Sequence, residues 1–321
     1  MRPEFTHLAT SAGTMKAAFI EEQGGPEVLQ YGDLPDPQAG PGEIVVDVHA
    51  ASINAADWKV RSGSYAKLTR FPYVLGRDFS GVVAETGAGV SDLAPGDPVF
   101  GVLDAGQEGA YAGKVAVRAD LAARKPEGWS HEEAVALALA GLTAIVSLEE
   151  TLKLEAGETI LIQGGAGGVA GFAIQLAKHL GATVVTTASA ANHDYVRGLG
   201  ADRVIDYRAQ DFTEELSGVD AVFETVGGDV ALRSFDVLRP GGRAAFIASG
   251  GQAPKPPRSD VTALRPNVAR ARRHMERVAE LVAAGAVTVP PIRTFPLAQA
   301  ADAHRVSEGR HLRGKLVLTV R

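Results

Sequence analysis

Apolar and polar positions change rhythm partway along the chain. From Met15 to about Pro126, short β-type runs (KAAFI, EIVVDVHAASI, FSGVVAETG, PVFGV, KVAVR) alternate with glycine and proline punctuation such as EQGGPE, PDPQAGPGE and APGDP. Short apolar runs between turn residues predict strands, and helix is scarce, so this stretch reads as a β-rich, barrel-like or open-sheet domain. From Ser130 onward the order becomes strand, glycine turn, helix, repeated. ETILIQ leads into GVAGFAIQLAKHLG, ATVVTTA into NHDYVRGLG, then RVIDY, DAVFETV into DVALRSFDVL, and GGRAAFIAS. That alternation predicts βαβ units and a parallel sheet, an α/β architecture. From about Pro266 the pattern gives a long helix (VARARRHMERVAELVAAG), a proline-marked connection, a shorter helix around Leu297 to Glu308, and a closing strand KLVLTV. No repeat of solenoid period is seen.

Composition narrows the function classes. A chain of 321 residues, 45% hydrophobic and 22% charged, suits about two globular domains with well-packed cores. The net charge of -6, without a block of lysine or arginine, argues against nucleic acid or an anionic membrane as partner. A small molecule is the expected partner. The absence of cysteine removes disulfides, thiolate zinc sites and a cysteine nucleophile together. No signal-type apolar stretch follows Arg2, and the longest apolar run, Ala134 to Leu148, contains Gly141 and Thr143 and falls short of a bilayer span. A cytoplasmic protein is expected. Residues 1–14 (MRPEFTHLATSAGT) are polar and unpatterned and read as a loose extension ahead of MKAAFI.

The stretch LIQGGAGGVAG carries the clearest chemistry. After a buried strand come Gly164, Gly165, Ala166, Gly167, Gly168 and Val169, with Ala170 and Gly171 opening a helix, a G-x-G-x-x-A pattern. Glycines in this setting permit a tight turn and let backbone N–H groups approach a pyrophosphate at the helix amino terminus, while a small last residue allows close packing of helix on strand. Dinucleotide binding is expected here. The second strand would end in an acid about 20 residues on if a ribose 2′-hydroxyl were gripped. The chain offers Thr187, Ala188 and Ser189 instead. NADP(H) is therefore preferred, with Ser189, Asn192, His193, Arg197 and Tyr207 as donors near a 2′-phosphate; the same residues could simply solvate a helix start.

The segments GGPEVL, GEIVVDVHAASINAADWKVRSGSY, FPYVLGRDFSGVV, GDPVFG, LAGLTA, GGAGGVAGFAIQLAK, GADRVIDY, DAVFETVGG, LRPGGR and RGKLVL, in this order, resemble the medium-chain dehydrogenase/reductase superfamily. Within it the chain resembles the zinc-free NADPH:quinone oxidoreductase, or ζ-crystallin-like, branch. The resemblance implies a GroES-like β-rich catalytic domain, residues 1–129 and 266–321, enclosing a Rossmann doubly wound parallel-sheet domain, residues 130–265, with the active site in the cleft between them. Where zinc alcohol dehydrogenases of the superfamily place a cysteine and a Gly-His-Glu segment, this chain has INAADW and GRDFSG, so Arg77 stands where a cation would bind. No metal is expected. His304, Glu308 and His311 have ligand-like spacing but lie in what resembles the family's ordinary closing segment.

Without a Lewis acid, alkoxide charge would develop unassisted, so the acceptor must carry its own electron sink. A quinone or an α,β-unsaturated carbonyl does so, and the expected activity is NADPH-dependent reduction of such a compound. By resemblance, Asn54, Asp57, Arg61 and Tyr65 line the cleft beside the nicotinamide. Asn54 donates to substrate or ribose, Asp57 and Arg61 pair to hold the loop, and Tyr65 is the candidate proton source. Thr143 would face the nicotinamide, Ser249 and Gly250 would form the turn after the fifth strand, and Lys315 would reach the pyrophosphate. A homodimer is implied, through edge strands near AAFIAS and VTAL. The alternatives are an enoyl-thioester reductase and a non-enzymatic cofactor-binding structural or regulatory protein.

Overall fold

The computed structural model describes residues 13–321. The expected amino-terminal extension lies outside the described residues up to residue 12, and Thr14 already opens a strand, pairing with Pro35.

The amino-terminal half builds two sheets. A three-stranded sheet runs Gln30–Pro35, Thr14–Ile20, Tyr73–Val74. A seven-stranded sheet centres on Glu43–Ile53, whose valines and isoleucines are buried, with Asp78–Thr86, Pro98–Val102 and Ala122–Arg124 following on one side. On its other side the closing strand Lys315–Thr319 pairs antiparallel, Leu316 opposite Ile53, and Ile292–Pro296 lies beyond it. The carboxyl terminus thus completes the first lobe's sheet. Only one α-helix, Ala55–Arg61, falls before residue 130 among the described residues, as the apolar pattern predicts.

The second lobe is a six-stranded sheet, parallel throughout, in the order Arg203–Asp206, Thr183–Ala188, Thr159–Ile162, Val219–Glu224, Leu238–Phe246, Thr262–Leu264. The chain order reverses beside Thr159–Ile162, and the crevice outside the carboxyl ends at such a reversal is where ligands bind in open α/β sheets. Leu238–Phe246 is paired on both sides, so AAFIAS is not at the sheet's edge as the resemblance implied; the short strand Thr262–Leu264, from VTAL, is the edge on that side, and Arg203–Asp206 the edge on the other.

A helix between the lobes locks the arrangement. His131–Ile145 starts at Ser130, whose hydroxyl accepts from Glu133 N–H at 3.1 Å while the Glu133 carboxylate accepts from Ser130 N–H at 2.8 Å, a capping box. It runs on through a π-helical segment to Thr151. Read this way the helix has 21 residues and is long and apolar enough to cross a bilayer, which corrects the shorter run seen in sequence, but 83% of its apolar window is buried inside the protein. It packs against the seven-stranded sheet of the first lobe and against the helices Gly168–His179 and Arg272–Ala283 of the rest of the chain, the position of a core helix.

Candidate functional site

The glycine turn sits at the carboxyl end of Thr159–Ile162 and opens the helix Gly168–His179 at Gly167, with no side chain capping the first turn. Its glycines are needed for different reasons. Gly164 has φ +72°, and a Cβ on Gly165 would stand 2.3 Å from Thr186 Oγ1, so both are demanded by the fold itself. A Cβ on Gly168 would meet Lys315 Cδ at 2.5 Å. Gly167 is otherwise: its φ of -73° suits any residue, and a Cβ there would have only Gly164 O nearby, at 3.4 Å. Nothing in the chain requires that glycine. The uncapped first turn of the helix and the open space beside Gly167 fit a pyrophosphate.

The other lobe closes on this turn through a short strained segment. Arg310 and His311 adopt left-handed backbone, φ 54° and 59°, and Gly314 has φ +72°. The Gly314 N–H donates to Ala166 O at 3.0 Å, bridging Gly167 to Gly314. Arg313 stacks over the Tyr195 ring at 5.2 Å and donates to Asn192 Oδ1 at 2.9 Å and Ala191 O at 2.8 Å. Asn192 in turn donates to Ser189 Oγ at 3.3 Å, and Tyr207 shares a hydrogen bond with His311 at 3.1 Å. Ser189 and Asn192 are thus linked to Arg313, a cation that the sequence reading passed over, while Tyr207 turns to His311. The clue was available, since Arg313 opens RGKLVL.

Lys315 is buried, 7% exposed. Its ammonium donates to Asn54 Oδ1 at 2.7 Å and Ile53 O at 3.1 Å instead of standing free at the turn. Asn54 leans on Asp78 at 3.4 Å, and Asp78 accepts from Ser52 Oγ at 2.7 Å and Ser52 N–H at 3.1 Å. Burial lowers the Lys315 pKa and raises that of Asp78, each partly offset by the other's charge. Thr143 spends its hydroxyl on Leu139 O at 2.8 Å within its helix; Ser249 Oγ donates to Gln252 O at 2.9 Å, and Gly250 has φ +83° in open space.

The expected Asp57–Arg61 pair does not form. Asp57, in the first turn of Ala55–Arg61, bends back to accept from Asn54 N–H at 2.8 Å and takes the Tyr111 hydroxyl at 2.8 Å. Arg61 points the opposite way, to the Glu308 carboxylate, His304 Nδ1 at 2.9 Å and Gly24 O at 3.2 Å. Both are buried, Asp57 at 0% and Arg61 at 1% exposure, so they support the site from beneath it. His304 and Glu308 thus converge on a cation, and His311 turns to Tyr207. Tyr111 joins the two halves, its hydroxyl also 3.2 Å from His304 Nε2. Burial, with Glu108 adding repulsion, pushes Asp57 up to about 7; burial, with Arg61 beside it, pushes His304 down to about 3.

Arg77 donates to Glu108 at 2.9 Å, lies 3.8 Å from Asp57, and stacks beneath the Tyr65 ring at 5.3 Å. Tyr65 itself is 53% exposed.

The chain matches the model of the alcohol dehydrogenase GroES-like domain over residues 40–127 and that of the zinc-binding dehydrogenase family over residues 199–318. It is 31% identical to the mitochondrial NAD(P)H oxidoreductase RTN4IP1 of Danio rerio, across 98% of this chain and 94% of that one. It is 34% identical, across 94% of its length, to a mycocerosic acid synthase-like polyketide synthase of Mycobacterium tuberculosis, but spans only 15% of that relative. Among solved structures, the quinone oxidoreductase of Escherichia coli complexed with NADPH superposes with a TM-score of 0.87 at 30% identity, covering 95% of this chain and 100% of the other.

Proposed function

Because this chain belongs to the medium-chain dehydrogenase/reductase superfamily, we propose that it reduces a quinone or an α,β-unsaturated carbonyl with NADPH and without a metal. The observation that carries the reading is the turn at Gly167: a phosphate cradle in which a glycine has no structural reason to be one, clasped by residues 313–315 of the other lobe. When bound, the cofactor supplies a hydride.

The chain's own residues divide the remaining work. The amino-terminal turn of Gly168–His179, from Val169 onward, holds the diphosphate. Arg313, fixed by Asn192 and Tyr195, meets a 2′-phosphate together with Ser189 and Tyr207, which supports NADPH over NADH. Asn54, whose Nδ2 makes only long 3.4 Å contacts to Asp78 and Ser52, can turn that donor to a ligand, and Tyr65, its ring held on Arg77, delivers the proton to the reduced oxygen. The positive charge of Arg77, in the GRDFSG segment that stands in for Gly-His-Glu by resemblance, and of the Lys315 ammonium beside Asn54 opposes a divalent metal and supports an acceptor with its own electron sink. The NADPH complex of the Escherichia coli quinone oxidoreductase, similar to this chain over its whole length, supports the same reading.

A second reading, reduction of an enoyl thioester, is supported by the likeness to a polyketide synthase segment. Steady-state NADPH oxidation with benzoquinone, phenanthrenequinone, a short enone and crotonyl-CoA separates the two. Tight NADPH binding with turnover of none of them would instead indicate a non-enzymatic, cofactor-binding relative. The homodimer belongs to this proposal as well, with Thr262–Leu264 as the open sheet edge that would pair.

A further inference from the structure

The strand Val219–Glu224 ends in a buried carboxylate beside the glycine turn. Glu224 is 0% exposed. Its Oε1 accepts from Val226 N–H at 2.7 Å and Gly227 N–H at 2.8 Å, while Oε2 is sealed from solvent and has no hydrogen-bond partner among the described residues. Burial raises its pKa, and the two N–H groups oppose that rise. A desolvated carboxylate with one bare oxygen is costly, so its benefit must come from the two bonds at Oε1.

Those bonds hold a loop that its backbone would otherwise leave loose. Gly227 and Gly228 both adopt left-handed backbone, φ +86° and +61°, and glycine loses the most conformational freedom on being fixed. Three contacts fasten residues 225–228. Glu224 takes the two N–H groups, Thr225 Oγ1 donates to Gln163 O at 2.8 Å, and Gly227 lies so close to the segment past Leu238–Phe246 that a Cβ would meet Ala248 O at 3.0 Å. Val226 is left 41% exposed, and its Cγ2 would stand 3.2 Å from a Cβ on Gly164. An apolar side chain is thus displayed at the first glycine of the turn.

Strand order says which part of a dinucleotide meets that side chain. Thr183–Ala188, Thr159–Ile162 and Val219–Glu224 are neighbours in that order and run parallel, so the segments after them line one edge of the sheet in the same order. Ser189 and Asn192 follow the first, the glycine turn the second, and residues 225–228 the third. A cofactor with its 2′-phosphate at Asn192 and Arg313 and its diphosphate at the turn therefore sends its nicotinamide half over residues 225–228.

Resting on the cofactor reading above, we infer that Glu224 is a positioning residue for the nicotinamide half: through the N–H groups of Val226 and Gly227 it fixes the Val226 side chain as the apolar wall on which that half lies. Glu224 itself touches no ligand.

The test compares whole and half cofactor by calorimetry on the full chain: NADPH against adenosine 2′,5′-bisphosphate, which lacks the nicotinamide half. Glu224→Ala is expected to weaken NADPH at least about tenfold, the worth of a charge-assisted hydrogen bond, and to leave the half cofactor within about twofold of wild type. Glu224→Gln, which keeps an acceptor oxygen, should restore most of the NADPH affinity. Val226→Ala trims an exposed side chain, strands no buried group, and should repeat the selective loss at roughly three- to tenfold. A general loosening of the fold would weaken both ligands alike. Equal losses for the two ligands, NADPH affinity unchanged in Glu224→Ala, or Glu224→Gln as weak as Glu224→Ala overturns the inference and leaves the cofactor reading standing. Wild type that does not bind NADPH takes down the cofactor reading and this inference with it. Should Glu224→Ala unfold, the other two variants decide: a selective loss in Val226→Ala with NADPH affinity kept in Glu224→Gln supports the inference, and any other pairing overturns it.

Discussion

The Lys315 ammonium donates to Asn54 Oδ1 at 2.7 Å while its stem passes so close to Gly168 that a Cβ there would meet Cδ at 2.5 Å. One side chain thus ties the glycine turn to the inner end of the cleft and provides positive charge for buried Asp78. Replacing it by methionine keeps the stem and removes the charge, leaving the Asp78 carboxylate without a countercharge. Lys315→Met is expected to lose about 3 kcal/mol of stability, because breaking a buried pair strands the other ion. Urea unfolding measures it. A loss below about 0.5 kcal/mol would mean that Lys315 is a ligand-facing cation with no structural task.

The two inner glycines of the turn should fail differently. Gly165→Ala drives a methyl to 2.3 Å from Thr186 Oγ1, and overpacking of this kind costs about 1–3 kcal/mol. Gly167→Asp meets no such obstacle, so its fold is expected to stay within about 1 kcal/mol of wild type while a carboxylate occupies the phosphate site and weakens NADPH at least about a hundredfold. Fluorescence titration of NADPH alongside thermal unfolding gives both readouts. Unchanged affinity in Gly167→Asp would remove the cradle from this turn.

These contrasts mark what could be read from the sequence and what could not. The strand-turn-helix alternation from ETILIQ onward foretold a parallel sheet, and the glycines after it foretold the turn, since both follow from local period and backbone freedom. The partner of Arg61 could not be foretold. Spacing of four residues puts Asp57 and Arg61 near one another on a helix, but Asp57 is claimed by the helix's own amino terminus, and His304 arrives from 243 residues away. Arg313 was hidden for a similar reason: its place over Asn192 depends on two left-handed residues, Arg310 and His311, that no propensity marks. AAFIAS was misplaced at the edge because the next strand, Thr262–Leu264, is only three residues long.

Arg313 makes a prediction about cofactor choice. Its guanidinium is held in place by Asn192 and Ala191 before any ligand arrives, so little ordering remains when a phosphate binds. A charge-assisted contact of that kind is worth roughly 1.5–3 kcal/mol, about ten- to a hundredfold in affinity. Arg313→Ala is therefore expected to raise the KM for NADPH by at least about tenfold and to change that for NADH little. A parallel loss for both cofactors would make Arg313 a lobe clasp alone.

The Asp57–Tyr111–His304 chain predicts a compensated pH response. Asp57 is held at about 7 against an ordinary 3.8, so its contribution to stability is complete below pH 3.8 and is lost as pH rises through 7. His304 is held at about 3 against an ordinary 6.5, so its contribution is complete above pH 6.5 and is lost as pH falls through 3. Between pH 4 and 6.5 the folded state keeps one proton that the unfolded chain releases, on Asp57, and lacks one that the unfolded chain holds, on His304. The two slopes cancel. Asp57→Asn should therefore gain stability relative to wild type as pH rises from 4 to 7, His304→Gln should lose it as pH rises from 4 to 6.5, each by an amount of the order of 4 kcal/mol. The double variant should follow wild type with no slope between pH 4 and 6.5. Urea unfolding across that range, read as differences from wild type so that the other carboxylates drop out, decides the matter: a flat difference in both single variants would place Asp57 and His304 at their ordinary ionisation and dissolve the balance.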